Sequence, residues 1–123
     1  MAAVNCDLIA TSENAYIGQP EIKSIGFNPY VGLWPFTIGL RNTKEILFRG
    51  TIISGERAVE MNMFNRTVSR EELDEAVEEL VAEILKIDRD MLYYTKRMLN
   101  DVYENMDMGS MIRTGIAFDE FGC

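Results

Sequence analysis

CDLIATSENAYIGQPEI, residues 6–22, is the stretch of sequence that decides the fold of this chain. Residues 7–12 predict a short buried strand, and the aromatic and β-branched residues that follow predict a second strand, which Gly18 and Pro20 interrupt. Because proline has no N–H to donate to a sheet ladder, Pro20 marks the end or the edge of this strand. Glu21 therefore lies where a strand gives way to a loop, a position at which α/β proteins often present functional side chains.

The next segment, residues 23–35, contains two prolines and two glycines and predicts a loop with fixed turns. It also carries large apolar side chains, among them Phe27 and Trp34. Two interpretations stay open for these side chains. They pack over the core, or they form one wall of an apolar ligand pocket.

Helical patterns dominate the rest of the chain. Residues 36–48 predict a helix that ends near Gly50, and Ser54 predicts the start of a short helix. Asn62 follows that short helix and tolerates the left-handed conformation of a helix end. Residues 63–68 predict a further strand.

Three more helices are predicted, over residues 70–88, 89–105 and 108–121. The first has apolar residues on one face, and Ser69 with Glu72 predicts a capping box at its start. Its acidic first turn is typical of a solvated face that matches the helix dipole rather than of a metal site. The second is apolar on several sides, which indicates packing against two neighbours, one of them a candidate second subunit.

Composition excludes several classes of function. The net charge of −8 and the lack of a basic cluster argue against nucleic-acid binding, and no apolar run approaches the roughly 20 residues of a membrane-spanning helix. The chain has no histidine, which removes Ser-His-Asp and Cys-His mechanisms. Its two cysteines, Cys6 and Cys123, lie at opposite ends and predict reduced thiols in a cytoplasmic protein, with Cys6 buried as a small hydrophobe.

The quoted stretch resembles the crotonase-family segment CDL-x-x-A-x-x-x-A-x-F-G-Q-P-E, through Cys6, Asp7, Leu8, Ala15, Gly18, Gln19, Pro20 and Glu21. Residues 46–73, ILFRGTIISGERAVEMNMFNRTVSREEL, are similar to a second family block, through Gly50, Ile53, Ala58, Asn65, Val68 and Leu73. Residues 95–100, TKRMLN, are similar to a K-x-x-L/I-N block on a late helix of the family. The chain is therefore identified as a member of the enoyl-CoA hydratase/isomerase, or crotonase, family.

The resemblance implies an α/β fold of the crotonase/ClpP-like class, mostly helical in this chain. Residues 1–68 would be the end of a ββα-spiral core that includes the G-Q-P-E segment, and residues 69–123 a helical trimerisation region. Family subunits form homotrimers or dimers of trimers. Their oxyanion hole and a Gly-Gly-Gly-x-Glu stretch would precede Met1, and a last helix would follow Cys123, so we expect a fragment or one piece of a split subunit.

Glu21 is the catalytic group that the resemblance implies, as a general acid/base that acts on an acyl-CoA thioester. Taken alone, a glutamate on a surface loop is usually just solvated, but its aromatic neighbours would withdraw this one from water. The resemblance also implies substrate-binding roles for Pro20, Phe27, Trp34 and Lys96. For Lys96 a CoA phosphate contact, a subunit contact and plain solvation stay open. No metal and no cofactor are expected, since coenzyme A is part of the substrate.

The expected reaction is hydration of a 2-enoyl-CoA, as in fatty-acid β-oxidation, with the oxyanion hole supplied from outside this chain, which alone should be inactive. Isomerisation of 3-enoyl-CoA to 2-enoyl-CoA is an alternative, because the Glu21 position alone can serve it. A cyclic acyl-CoA hydratase or hydrolase is suggested by the aromatic loop around Trp34. A non-catalytic fragment or assembly module is the alternative from a different class.

Overall fold

The computed structural model describes residues 6–24 and 28–120. Within these ranges the strands are β1 (Ala10–Ser12), β2 (Tyr16–Gly18), β3 (Ile52–Ser54) and β4 (Arg66–Val68). The α-helices of the same ranges are α1 (Trp34–Arg49), α2 (Gly55–Glu60), α3 (Leu73–Ile84), α4 (Arg89–Asn105) and α5 (Met108–Glu120). Two 3-10 helices, Pro20–Lys23 and Pro29–Leu33, precede α1.

The strands pair in two separate two-stranded ladders. β1 runs parallel to β4, with Ala10 opposite Arg66, and β2 runs antiparallel to β3, with Gly18 opposite Ile52. Two-stranded sheets are marginal alone, so these ladders depend on packing against helices. The buried core that they border consists of Val31, Trp34, Ile38, Ile46, Ala58, Met61, Met63 and Phe64.

The predicted loop over residues 23–35 is wrong in its second half. Pro29 opens a 3-10 helix, and α1 begins at Trp34 with Pro35 in its first turn. Proline suits the first turn of a helix because its missing N–H has no partner there in any case. The prolines that predicted a loop therefore mark helix starts.

α1 also contains a kink that the sequence pattern did not predict. Gly39 has φ 77° and ψ 157°, outside the helical region. The side chains of Asn42 and Thr43 donate to the carbonyl oxygens of Ile38 and Gly39, each at 2.9 Å. The two side chains thus bond to backbone carbonyl groups at the kink from the turn that follows it.

The residues predicted to lie at the ends of α1 and α2 do lie there in the structure. Gly50 closes α1 at φ 53°, and Asn62 follows α2 at φ 62°. The Ser54 hydroxyl accepts from the Arg57 N–H at 3.3 Å and caps α2. Ser69 and Glu72 make the predicted capping-box contact, with the Glu72 N–H donating to Ser69 Oγ at 3.3 Å, but it closes a turn before α3. The prediction of Ser69 as the N-cap is wrong, because α3 begins at Leu73 and Glu72 is its N-cap.

For the later helices and the last strand, the predicted length agrees with the structure only in part. α4 matches the prediction of residues 89–105, whereas α3 is shorter at both ends than residues 70–88. The strand predicted over residues 63–68 is reduced to β4, because Met63 and Phe64 turn into the core. Cys6 was predicted to be buried and is exposed, since β1 begins only at Ala10.

The helical region shows an extensive apolar surface. Ala76 is the buried residue of α3, and α4 has none. Tyr103 of α4 meets Phe36 edge to face, with the ring centroids 6.0 Å apart. Exposed apolar side chains of this region include Val77, Val81, Leu85, Met91, Leu92, Tyr94, Met98, Leu99 and Val102. The apolar sides of α4 thus find few neighbours within the part of the chain that the structure describes.

Candidate active site

Glu21 lies on the Pro20–Lys23 helix, directly after β2. The Ser24 N–H donates to the Glu21 carbonyl oxygen at 3.0 Å, and the Ile22 N–H donates to the Gln19 carbonyl oxygen at 3.4 Å. The tight turn therefore fixes the backbone of Glu21, as the proline before it predicted. The residue is exposed.

The surroundings of the Glu21 carboxylate differ from the expected ones. Aromatic neighbours were predicted to withdraw it from water, but Tyr16 is itself 72% exposed. Phe27, the neighbour on the other side and a predicted substrate-binding residue, lies outside the described residues. Within the described part of the chain, Glu21 is not desolvated.

Gly18 sets the position of β2 against β3. A Cβ at Gly18 would lie 2.8 Å from the Ile52 Cα and would also collide with the Thr51 carbonyl oxygen. The Ile52 Cα belongs to β3, and the Thr51 oxygen belongs to the residue before it. Because both are backbone atoms, neither can rotate away as a side-chain atom could. Glycine is needed here because the two backbones approach this closely.

Two of the buried polar atoms, one in the residue before the turn and one in the core, have no hydrogen-bond partner among the described residues. They are Oε1 of Gln19, a residue only 4% exposed, and Nε1 of Trp34, which is 3% exposed. Buried polar atoms are nearly always hydrogen-bonded in folded proteins. Trp34 is a core residue of this chain, which favours the packed-loop interpretation over the pocket wall.

The other predicted site residues are spread out. Pro20 is half-buried at the start of the turn. Lys96 lies on α4, where its ammonium group forms an ion pair with the Asp7 carboxylate. The structure therefore joins Lys96 to the segment before β1 rather than to the Glu21 turn.

A groove of about 390 Å³ lies between the Pro29–Leu33 helix and α5, with Gly32, Met111 and Thr114 in its walls. Glu21 does not line it. Among the described residues, no group of three or more acidic or cysteine side chains is arranged to hold a metal. None of the described helices combines the length and the hydropathy of a membrane span.

Sequence reasoning missed how the turn is supported. Lys23, the last residue of the 3-10 helix, lies over Gly50 at the end of α1. The signal for Gly18 was present, since a glycine inside a strand pattern often marks a close backbone approach. Nothing in the local sequence links Lys23 to Gly50.

Comparison with known proteins assigns the family. The family model described as enoyl-CoA hydratase/isomerase matches residues 1–114. The short-chain-enoyl-CoA hydratase of Clostridioides difficile is 33% identical over 100 residues, which cover 79% of this chain and 64% of that protein.

Solved structures agree in fold. A probable enoyl-CoA hydratase from Mycobacterium thermoresistibile has a TM-score of 0.84 at 31% identity, over 95% of this chain and 49% of that one. An enoyl-CoA hydratase from Mycobacterium smegmatis has a TM-score of 0.89 at 25% identity, over 97% of this chain and 41% of that one. The chain thus spans between 41% and 64% of the length of these three relatives. With the family model matched over most of its length and the crotonase fold reproduced, the chain belongs to the enoyl-CoA hydratase/isomerase family.

Proposed function

We propose that this protein hydrates 2-enoyl-CoA thioesters, with Glu21 as a general acid/base. The observation that carries the proposal is the placement of Glu21 on a 3-10 turn after β2, within the G-Q-P-E segment of a family member. A carboxylate there can take a proton from the attacking water or return one to the carbon skeleton. Addition places the water oxygen on C3 and a proton on C2 of the substrate.

The remaining chemistry is proposed to come from outside this chain. Thioester enolates need N–H donors aimed at the oxygen that becomes negative, which is usually the largest catalytic contribution. The exposed Glu21 and the two-stranded ladders support a covering segment that lies outside this chain. We therefore expect the chain alone to be inactive.

The test joins the chain to the amino-terminal half of a family subunit, supplied by the Mycobacterium smegmatis hydratase; this is called the completed enzyme below. Its hydration of crotonyl-CoA is followed through the loss of the conjugated thioester absorbance. The 123-residue chain alone serves as the control. Conversion of a 3-enoyl-CoA without hydration of crotonyl-CoA would replace the proposal with the isomerase alternative.

A second function, that of an assembly module, is favoured by the uncovered apolar sides of α4. For the hydratase and for the assembly module alike, we propose that further copies of this chain cover these sides, in a homotrimer or a dimer of trimers. Residues 69–123 would supply this contact, and residues 1–68 would carry the site. The Trp34 side chain is buried in the core and so adds no support to the cyclic acyl-CoA alternative.

Leu99→Glu is expected to disperse the assembly. Leu99 is 53% exposed in the single chain, and a charge in the centre of an apolar interface remains without a partner. Sedimentation should show a trimer or larger for the unchanged chain and a monomer for the variant. Asn100→Glu, with the same new charge on the next residue of α4, is the control and should stay assembled. A monomeric unchanged chain would contradict the assembly proposal.

Lys96→Met tests whether Lys96 binds substrate or only pairs with Asp7. An exposed ion pair contributes about 0.2–1 kcal/mol, and the side chains of both partners are more than half exposed. We expect Lys96→Met and Asp7→Asn to lower the free energy of unfolding by the same small amount, with KM for crotonyl-CoA unchanged in the completed enzyme. A raised KM in Lys96→Met alone would instead support the substrate-binding role.

A further inference from the structure

The turn that carries Glu21 is joined to the end of α1 through Lys23. A Cβ at Gly50 would lie 2.6 Å from the Lys23 Cε, 2.9 Å from its Cγ and 3.1 Å from its Cδ. Three carbons of the Lys23 side chain therefore lie against the open face of Gly50. Such contact is possible because residue 50 has no side chain, which its φ of 53° also favours.

Both sides of the Glu21 turn are supported by the same short segment, residues 50–52. On the upstream side, Gly18 packs against the backbone of Thr51 and Ile52. On the downstream side, Lys23 packs on Gly50. The segment is itself anchored to α1, because the Thr51 N–H donates to the Ile46 carbonyl oxygen at 3.1 Å.

Glu21 has no support of its own beyond the turn. Within the described residues its carboxylate makes no hydrogen bond or ion pair, and the two backbone bonds of the turn are 3.0 and 3.4 Å long. The position of the carboxylate thus depends on how firmly the two ends of the turn are held. Small errors in placement are costly, since a shift of about 1 Å can lower a catalytic rate about 100-fold.

We propose that Lys23 is a positioning residue for Glu21, which holds the catalytic turn through the contact of its hydrocarbon stem with Gly50 rather than through its charge. The proposal deepens the proposed function and rests on it for its catalytic consequence. The Lys23 residue is exposed and makes no ion pair within the described part of the chain, which leaves the stem as the part of the side chain that is in contact.

The test uses hydrogen exchange in the 123-residue chain, which needs no catalytic activity. The Ser24 N–H, which donates to Glu21, reports whether the turn stays closed. Lys23→Ala should speed its exchange about 10-fold, while Lys23→Met, which keeps the stem and removes the charge, should leave it slow. Exchange of the Thr43 amide in α1 serves as the control for general loosening.

The same variants are then measured in the completed enzyme. Lys23→Ala should lower kcat about 10-fold with KM unchanged, and Lys23→Met should restore kcat with the pH profile of the unchanged protein. Gly50→Ala displaces the stem by another route and should act in the same direction. Gly39→Ala, at φ 77° with no atom within 4 Å of the new Cβ, controls for backbone strain alone.

The results separate this inference from the function it rests on. If Lys23→Met lowers kcat as much as Lys23→Ala does, the inference is overturned, because the loss of the charge would then be the cause. Ser24 exchange unchanged in both Lys23→Ala and Gly50→Ala would overturn it as well. Additive losses in the Lys23→Ala/Gly50→Ala double variant would count against the contact, because coupled residues deviate from additivity. If Glu21→Gln keeps full activity, the proposed function fails, and the exchange data still decide the role of Lys23 in the turn.

Discussion

Glu21→Gln should lower kcat for crotonyl-CoA hydration in the completed enzyme by about 100-fold to 10,000-fold. Glutamine has the shape of glutamate but cannot accept a proton from water or deliver one to carbon at neutral pH. The turn should be unaffected, because the hydrogen bonds that hold it come from backbone atoms. KM should change little, since the substitution removes a proton-transfer step rather than a binding contact.

Glu13→Gln is the matched control for that experiment. Glu13 is also an exposed glutamate and lies between β1 and β2, only eight positions upstream. The same loss of charge there should leave kcat within about twofold, as surface changes away from a site usually do. Equal turnover by Glu21→Gln and the unchanged protein would remove Glu21 from the catalytic role. Equal losses in both variants would show that charge, not proton transfer, is at issue.

Gly18→Ala is expected to have the largest effect on stability, about 1–3 kcal/mol in the free energy of unfolding. The added methyl group meets the Thr51 carbonyl oxygen and the Ile52 Cα, so β2 must move away from β3. That movement carries the Glu21 turn with it, because the turn begins two residues later. Urea unfolding of the chain measures the first effect, and kcat of the completed enzyme measures the second.

Gly32→Ala is the control for the loss of a glycine. A Cβ at Gly32 would meet its nearest neighbour, the Met111 carbonyl oxygen, at 3.8 Å, an ordinary contact distance. Its effect should stay within about 0.5 kcal/mol. A Gly18→Ala chain as stable as the unchanged one would mean that β2 and β3 do not pair with Gly18 opposite Ile52.

The place of Glu21 in the fold could be predicted from sequence, but the environment of its side chain could not. The G-Q-P-E segment placed Glu21 after a strand, and the structure has it there. The expected desolvation of its carboxylate was wrong for the described residues, because burial depends on which distant segments cover a turn. Pro20 and Lys96 were chosen by motif alone, and the ion pair of Lys96 with Asp7 joins positions 89 residues apart.

Local signals determined the helix boundaries of this protein. Gly50, Ser54 and Asn62 each act on hydrogen bonds within about four residues, so the neighbouring sequence is enough to predict their effect. Asp88 acts in the same local way in the structure, where its side chain accepts from the Met91 N–H at 3.2 Å at the start of α4.

The tertiary structure alone decided how these elements meet. The parallel pairing of β1 with β4, the burial of Trp34 and the contact of Lys23 with Gly50 all join segments that lie far apart in the chain. Such contacts arise from which surfaces fit together after the chain has folded back on itself, and no short stretch of sequence encodes them. The sequence by itself determined which residue is the candidate acid/base and on what kind of turn it lies; the packing of residues 50–52 against both ends decided how that turn is held.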